Sequence, residues 1–474
     1  MVHGVQDRTW CHRNRSVKVV DRMSEMKRYS IVGAPPGLVS SVGGANLSVK
    51  PLIGVVFAHM TNEQVAVLIV KNPGVTIRLV DTVTPKVTIP TPVPASAADS
   101  LTPESLINET KLNTFRNSFT PPLLGTDVNI AVVDTGVRTT HKSLDGKVVY
   151  SENFTSSPTT GDVFNHGTGV AHIVHVTAPD SNILNMKAIA DDGTATEEQI
   201  TSAIERCIEM KVANHQYAPH IINLSLGSLD AGDPNDIMRV ACRTAIEQYN
   251  IWIAAAAGND GPAPGTITCP ACEQYVMAVG SASFPDNTLD DFSSRGPTKE
   301  GLVKPDVLMV GSDVLMASST GDDAEVAKSG TSFSTPFMCG LAAWFKQGSK
   351  VQVLRDEFKM AVQPRFYVYA SYDPTMVQIL DEYIPGVCLR PGDTVRPNYV
   401  PSKDNNNGYG TFCAPMAISF LSEVESKATA QAVGGIINSI MQPLMTIMVM
   451  GMMANFMRSM FKPEVKSKKG VKYT

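Results

Sequence analysis

Short apolar runs alternate with amphipathic stretches through the middle of the chain. Val128–Val133, Ile183–Ile189, Ile221–Leu226, Ile251–Ala257 and Tyr275–Val279 are nearly continuous in small or apolar residues. Continuity rather than alternation predicts strands buried on both faces. Glu197–Val212 and Asp236–Tyr249 lie between them with helical periodicity. The pattern predicts a parallel sheet with helices on both faces, an α/β fold, over residues 105–425. Upstream, residues 27–83 read as a separate small α/β unit. Arg28–Val32 and the apolar Pro51–Ala58 are strand-like. Thr61-Asn62-Glu63-Gln64 has capping-box form and opens a helix through Val65–Val70 that stops at Asn72-Pro73-Gly74. Val75–Val80 then alternates as a strand. Residues 84–104, rich in Pro, Thr, Ala and Ser, form an extended linker.

The two ends differ in kind. Residues 1–26 form a leader, and Met1–Arg28 is polar and basic without the apolar run that export needs, so no secretory signal is read there. Residues 426–474 form a tail. Its stretch 428–457 carries no charge and is rich in Met and Ile, and five lysines from Lys462 to Lys472 follow. Thirty uncharged positions exceed the roughly 20 a helix needs to span a bilayer. Asn438, Gln442, Pro443 and Asn455 interrupt the run, and methionine suits adaptable helix contacts. A hydrophobic C-terminal helix is expected. Insertion in a membrane, burial against other copies or a partner, and removal of the tail all stay open. The expected location is intracellular, membrane-associated or virion-associated through this segment.

Composition narrows the class. Of 474 residues, 43% are hydrophobic, which supplies a large core and excludes a disordered chain. A net charge of −5 gives no global basic field, so nucleic acid is not an expected partner. Eight cysteines are too few for a disulfide scaffold of this length. Only Cys269 and Cys272 stand close together; a local disulfide and two free thiols are both open, and zinc lacks a second ligand pair.

Three glycine-flanked motifs occur in the order Asp, His, Ser. Ala131-Val132-Val133-Asp134-Thr135-Gly136 ends an apolar strand in a carboxylate, at the edge where open α/β sheets place their sites. Asn165-His166-Gly167-Thr168-Gly169 puts an imidazole before a helix. Ser329-Gly330-Thr331-Ser332 puts a hydroxyl at the start of an apolar helix running through Trp344, near unpaired N–H groups that favour an anionic intermediate. Each motif alone has an ordinary structural explanation. Together they supply a nucleophile, its base and the carboxylate that orients the base.

On these residues the chain resembles the subtilisin-like serine proteases, the subtilases, over about residues 105–425. Asn223–Gly227, Ala256–Gly261, Asp291–Pro297 and Lys304-Pro305-Asp306 extend the likeness, and Gly408-Tyr409-Gly410 with Ala414 and Ala417 resembles the family's closing helix. The resemblance implies a serine endopeptidase acting on polypeptides, with Ser332 as nucleophile, His166 as base and Asp134 orienting it. Asn259 and the Ser332 N–H would bind the oxyanion. Ser225, Leu226, Gly227, Ala256, Ala257 and Gly258 would wall the substrate cleft. Thr268 stands where glycine often leaves room for a large side chain. Residues 27–83 resemble the family's ferredoxin-like inhibitory propeptide, which implies a zymogen whose own prodomain is its inhibitor. No cofactor is assigned; calcium has no site here, and Asp191-Asp192 reads as a solvated turn. The sequence departs from the family where Gly169 replaces a second His, where His172 replaces a Gly, and at Phe333-Ser334. A structural or assembly component built on the same fold is the alternative reading.

Overall fold

The computed structural model describes residues 26–80, 82–83, 100–109, 112–117, 122–284 and 288–348. The leader up to residue 25, most of the linker, the closing motif around Gly408–Ala417 and the hydrophobic helix expected over 428–457 lie outside the described residues. Among the described residues no helix is long and apolar enough to cross a membrane.

The N-terminal unit is a four-stranded antiparallel sheet of β1 (Lys27–Val32), β2 (Ala45–Lys50), β3 (Val55–Met60) and β4 (Thr76–Leu79), in the order β2-β3-β1-β4. The Pro36–Ser41 and Asn62–Lys71 helices belong to it. The Thr61 hydroxyl accepts from Gln64 N while the Gln64 side chain accepts from Thr61 N, so the expected capping box forms. The second strand starts four residues later than the apolar run suggested, because residues 51–54 make a turn. A two-residue strand, β5 (Thr82–Val83), follows.

The main unit follows in chain order. Its strands are β6 (Asn129–Asp134), β7 (Val148–Asn153), β8 (Asn182–Lys187), the short β9 (Ala195–Thr196), β10 (Ile221–Leu224), the short β11 (Ser228–Leu229), β12 (Trp252–Ala256), the short β13 (Thr268–Cys269), β14 (Met277–Ala282) and β15 (Val307–Val310), with a hairpin of β16 (Val314–Ala317) and β17 (Glu325–Lys328). Seven of these form one parallel sheet ordered β15-β14-β12-β10-β6-β8-β7. Successive side chains of β6 point to opposite faces. Ile130 and Val132 join one core with the Gly167–Thr177 and Thr331–Gly348 helices. Ala131 and Val133 join the other, with the Glu197–Val212 and Ile237–Glu247 helices. Ile53, Val55 and Phe57 of the N-terminal unit belong to that second core.

From β6 the chain runs first to β7 and β8 on one side, then crosses to β10 on the other. The carboxyl ends of β6 and β10 therefore flank the switch point, where such sheets open a crevice.

Candidate active site

Asp134 is the last residue of β6 and is 1% exposed. Its Oδ1 lies 2.7 Å from His166 Nδ1, and it also accepts from Thr135 N. Small residues permit this approach. A Cβ on Gly167 would sit 2.2 Å from the Gly136 carbonyl, and Gly136 itself takes φ +105°, a conformation side chains disfavour. His166 leads into the Gly167–Thr177 helix without capping it through its own side chain. Asp162 does that instead. Its carboxylate accepts from the N–H groups of Asn165, His166 and Thr168 and from the hydroxyls of Thr135 and Thr168. This carboxylate takes the N–H groups of His166 and Thr168, the Thr135 hydroxyl takes that of Gly167, and together they fix the backbone that carries the imidazole.

Ser332 opens the Thr331–Gly348 helix and is 4% exposed. Pro336 has no N–H, so the Ser332 carbonyl loses its helical partner four residues on. The Ser225 hydroxyl, at the carboxyl end of β10, donates to that carbonyl at 2.7 Å. In return the Ser332 hydroxyl donates to the Ser225 carbonyl at 3.2 Å. Asn223 holds Ser225 in place by donating to its hydroxyl at 2.9 Å. The Phe333 ring packs 5.3 Å from the His166 ring, centroid to centroid. His166 Nε2 is buried and has no hydrogen-bond partner among the described residues.

The Asn259 amide oxygen accepts from Thr331 N and from the Thr331 hydroxyl, both at 2.9 Å. Its nitrogen end is thereby turned toward the Gly330–Ser332 segment, 3.3 Å from where a Gly330 Cβ would stand. Of the expected cleft residues, Ser225 exchanges hydrogen bonds with Ser332, Gly258 N donates to the Thr331 hydroxyl, and Gly227 packs on Thr268, while all six, with Leu226, Ala256 and Ala257, are buried. Thr268 pairs with Leu229 across β11 and β13. Its side chain fills the space between the two walls: Cβ atoms on Gly227 and Gly258 would stand 2.5 Å and 2.7 Å from it.

The departures from the family pattern have a common cause. A Cβ at Gly169 would lie 2.4 Å from Met316 Sδ, so no side chain fits there. His172 accepts at Nδ1 from Ala317 N at 3.1 Å, and its Nε2 lies 3.5 Å from Glu104. Both positions serve the contact of this helix with the β16–β17 hairpin. Cys269 and Cys272 are buried free thiols, and a hydrogen bond with Cys272, then burial and the nearby Asp236 charge, push Cys269 well above the usual thiol range. Asp191 pairs with Lys187, and Asp192 accepts from Thr194 N and its hydroxyl.

Three residues at the site escaped the sequence reading. Asp162 stands four residues before His166, the cap residue of a helix that lacks its own capping side chain, which is the local signal for it. Lys187 interrupts an apolar strand; it is fully buried and donates to the carbonyls of Thr135 and Gly161. Lys328 gives no local signal, because its partner Asn165 is distant in sequence.

Among known proteins, the subtilase family matches residues 125–362. The chain is 30% identical over 286 residues to serine protease AprX of Bacillus subtilis (strain 168), covering 54% of this chain and 64% of that one. It is 32% identical over 254 residues to a subtilisin of Bacillus sp. (strain TA39), 48% of this chain and 58% of that one. It is 31% identical over 228 residues to the membrane-bound transcription factor site-1 protease of Homo sapiens, 46% of this chain and 20% of that one. The matched region spans less than two thirds of each of these relatives.

Proposed function

The chain belongs to the subtilase family, and from that premise we propose that it is a serine endopeptidase made as a zymogen. The observation that carries the reading is the 2.7 Å contact of buried Asp134 with His166 Nδ1, beside a Ser332 locked onto the end of β10. Asp134 accepts a hydrogen bond from the Nδ1–H of His166, which keeps that proton on Nδ1, leaves the lone pair on Nε2 and makes Nε2 the base. The Ser332 hydroxyl turns from the Ser225 carbonyl toward Nε2 when substrate arrives; such bonds are commonly unformed before the substrate complex. The hydroxyl oxygen attacks the peptide carbonyl as its proton passes to Nε2. The Asn259 amide nitrogen donates to the oxyanion, a contribution generally worth about 3–4 kcal/mol. The imidazolium then protonates the leaving amine, and water repeats the sequence on the acyl-enzyme.

Residues 27–83 act as the inhibitor. Thr82 and Val83 pair antiparallel with Thr196 and Ala195, so the chain leaving the unit adds a strand to β9 as an extended peptide would. Arg28 pairs with Glu198, Lys50 with Glu205, and Arg78 with Asp233 and Asp236, anchoring the unit on the two helices beside the cleft. Processing falls between about residues 81 and 105, where N-terminal sequencing of mature protein locates it.

Ser332→Ala should abolish fluorophosphonate labelling and lower peptide hydrolysis by several orders of magnitude. Wild-type protein that neither labels nor cleaves would leave the fold as a scaffold for assembly. A Ser332→Ala variant as active as wild type would move the nucleophile elsewhere.

A further inference from the structure

Asn165, the residue before His166, adopts φ +67°, a left-handed conformation that costs a non-glycine residue on the order of 1 kcal/mol or more. Such a conformation persists only where its surroundings over-determine it, and here the backbone N–H, the backbone carbonyl and the side-chain oxygen of Asn165 are all held. Its N–H donates to Asp162. Its side-chain oxygen accepts from Ser318 and from Ser319 N, at 3.0 Å and 2.8 Å. Its carbonyl accepts from the Lys328 ammonium. Lys328 is the last residue of β17, and Ser329-Gly330-Thr331-Ser332 follows directly. The hold on the carbonyl therefore comes from the arm that carries the nucleophile. Burial pushes the Lys328 ammonium below the usual lysine range, opposed by the charges of Asp162 and Asp134.

The Phe333 ring packs on the His166 ring, but the hydrogen bonds that fix base and nucleophile run to different partners. His166 rests on Asp134 and Asp162, and Ser332 rests on Ser225. No hydrogen bond among the described residues joins Nε2 to the Ser332 hydroxyl. We infer that Lys328 is a positioning residue, a latch from the nucleophile's arm to the Asn165 carbonyl that sets the spacing of Ser332 from His166. The inference rests on the proposed endopeptidase reading and adds to it a residue outside the triad and oxyanion site. A displacement of about 1 Å at reacting groups can cost about a hundredfold in rate, so a latch here acts on turnover rather than on substrate binding.

The test compares Lys328→Met and Lys328→Arg in mature enzyme made from the full chain. Lys328→Met should lower kcat, and the rate of fluorophosphonate labelling of Ser332, by about 10- to 100-fold with KM within about twofold. Lys328→Arg, which still reaches the carbonyl with a cation, should recover most of the loss. In an Asn165→Gly background, where the backbone is relaxed, Lys328→Met should cost several-fold less, a coupling that a local packing defect would not show. If Lys328→Met does not fold, Lys328→Gln takes its place with the same expectation. An unchanged kcat overturns the inference. So does a parallel loss of kcat, KM and melting temperature that Arg does not rescue. Wild-type enzyme that fails to label removes the endopeptidase reading itself, a result separable from either.

Discussion

Thr268 bears on which peptides the enzyme accepts. Its methyl and hydroxyl occupy the space between Gly227 and Gly258, and its hydroxyl donates to the carbonyls of Ala256 and Ala257. A substrate side chain entering between those walls meets Thr268 early, so small residues should be favoured before the scissile bond. Thr268→Gly should raise kcat/KM for a Phe-containing peptide relative to its Ala counterpart by at least about tenfold, on the scale of a few methylenes of pocket. An unchanged ratio would place the specificity pocket elsewhere. Asn259 has two tasks that one substitution can separate. Asp at this position keeps the acceptor for Thr331 but presents no donor to an oxyanion. Asn259→Asp should therefore lower kcat about 10²- to 10³-fold while the melting temperature holds. Loss of both together would make Asn259 mainly a brace for the Thr331 turn. Asp134, His166, Ser332 and Asn259 could be proposed from sequence because each sits in a short glycine-flanked motif whose residues are neighbours in sequence. Asp162 and Lys328 could not, because what they hold is defined only when separate segments meet.

The helix that follows His166 shows how an element can carry a pH dependence unrelated to catalysis. His175 lies in its last turn, with Nδ1 buried and without a partner. Burial, then the charges of Lys147 and His172, push its imidazole from 6.5 down to about 4, against opposing pulls from Glu104 and Asp180. Between those values the unfolded chain binds a proton that the folded one refuses. Stability is therefore complete above pH about 6.5 and declines as pH falls toward about 4, by up to about 3 kcal/mol. In a Ser332→Ala background, chosen to avoid self-cleavage under the proposed activity, His175→Gln should flatten that stretch of the stability profile. An acid profile identical to the parent's would assign the loss to other groups. Long periodic or apolar runs were read well: the helix over Glu197–Val212 matches its expected bounds and each run expected as a strand became one, whereas the four-residue β15, buried throughout, was too short to be picked out. Strands β2, β7 and β17 were missed because they are largely half-buried and polar, so their register comes from neighbours rather than from pattern.

At the scale of the molecule, the small N-terminal unit is docked by charge as much as by apolar contact. Arg28 meets Glu198 through two nitrogens, at 2.7 Å and 2.9 Å, while Lys50 lies 3.5 Å from Glu205. Arg78 reaches Asp236 at 2.7 Å, and that carboxylate already caps the Ile237–Glu247 helix through Met238 N and Arg239 N. Bidentate and partly buried pairs of this kind exceed the 0–1 kcal/mol of an ordinary surface pair, and the longer Lys50 pair should not. The separate sheets of the N-terminal unit and of the main unit follow two blocks of periodic sequence on either side of a proline-rich stretch. The docking was not legible in the chain, since Arg28, Arg78 and their partners are far apart along it. Residues 27–83 added in trans to mature enzyme should inhibit at micromolar concentration or below. Replacing Arg28 and Arg78 together by Ala should raise the inhibition constant by about 10- to 100-fold, whereas Lys50→Ala should change it by less than about threefold. Salt should narrow the difference, because screening weakens the wild-type pairs and leaves the strand pairing of Thr82–Val83 with β9 in place. A double variant that inhibits as tightly as the parent at low salt would mean that strand addition and the apolar contacts of Ile53, Val55 and Phe57 hold the inhibitor alone.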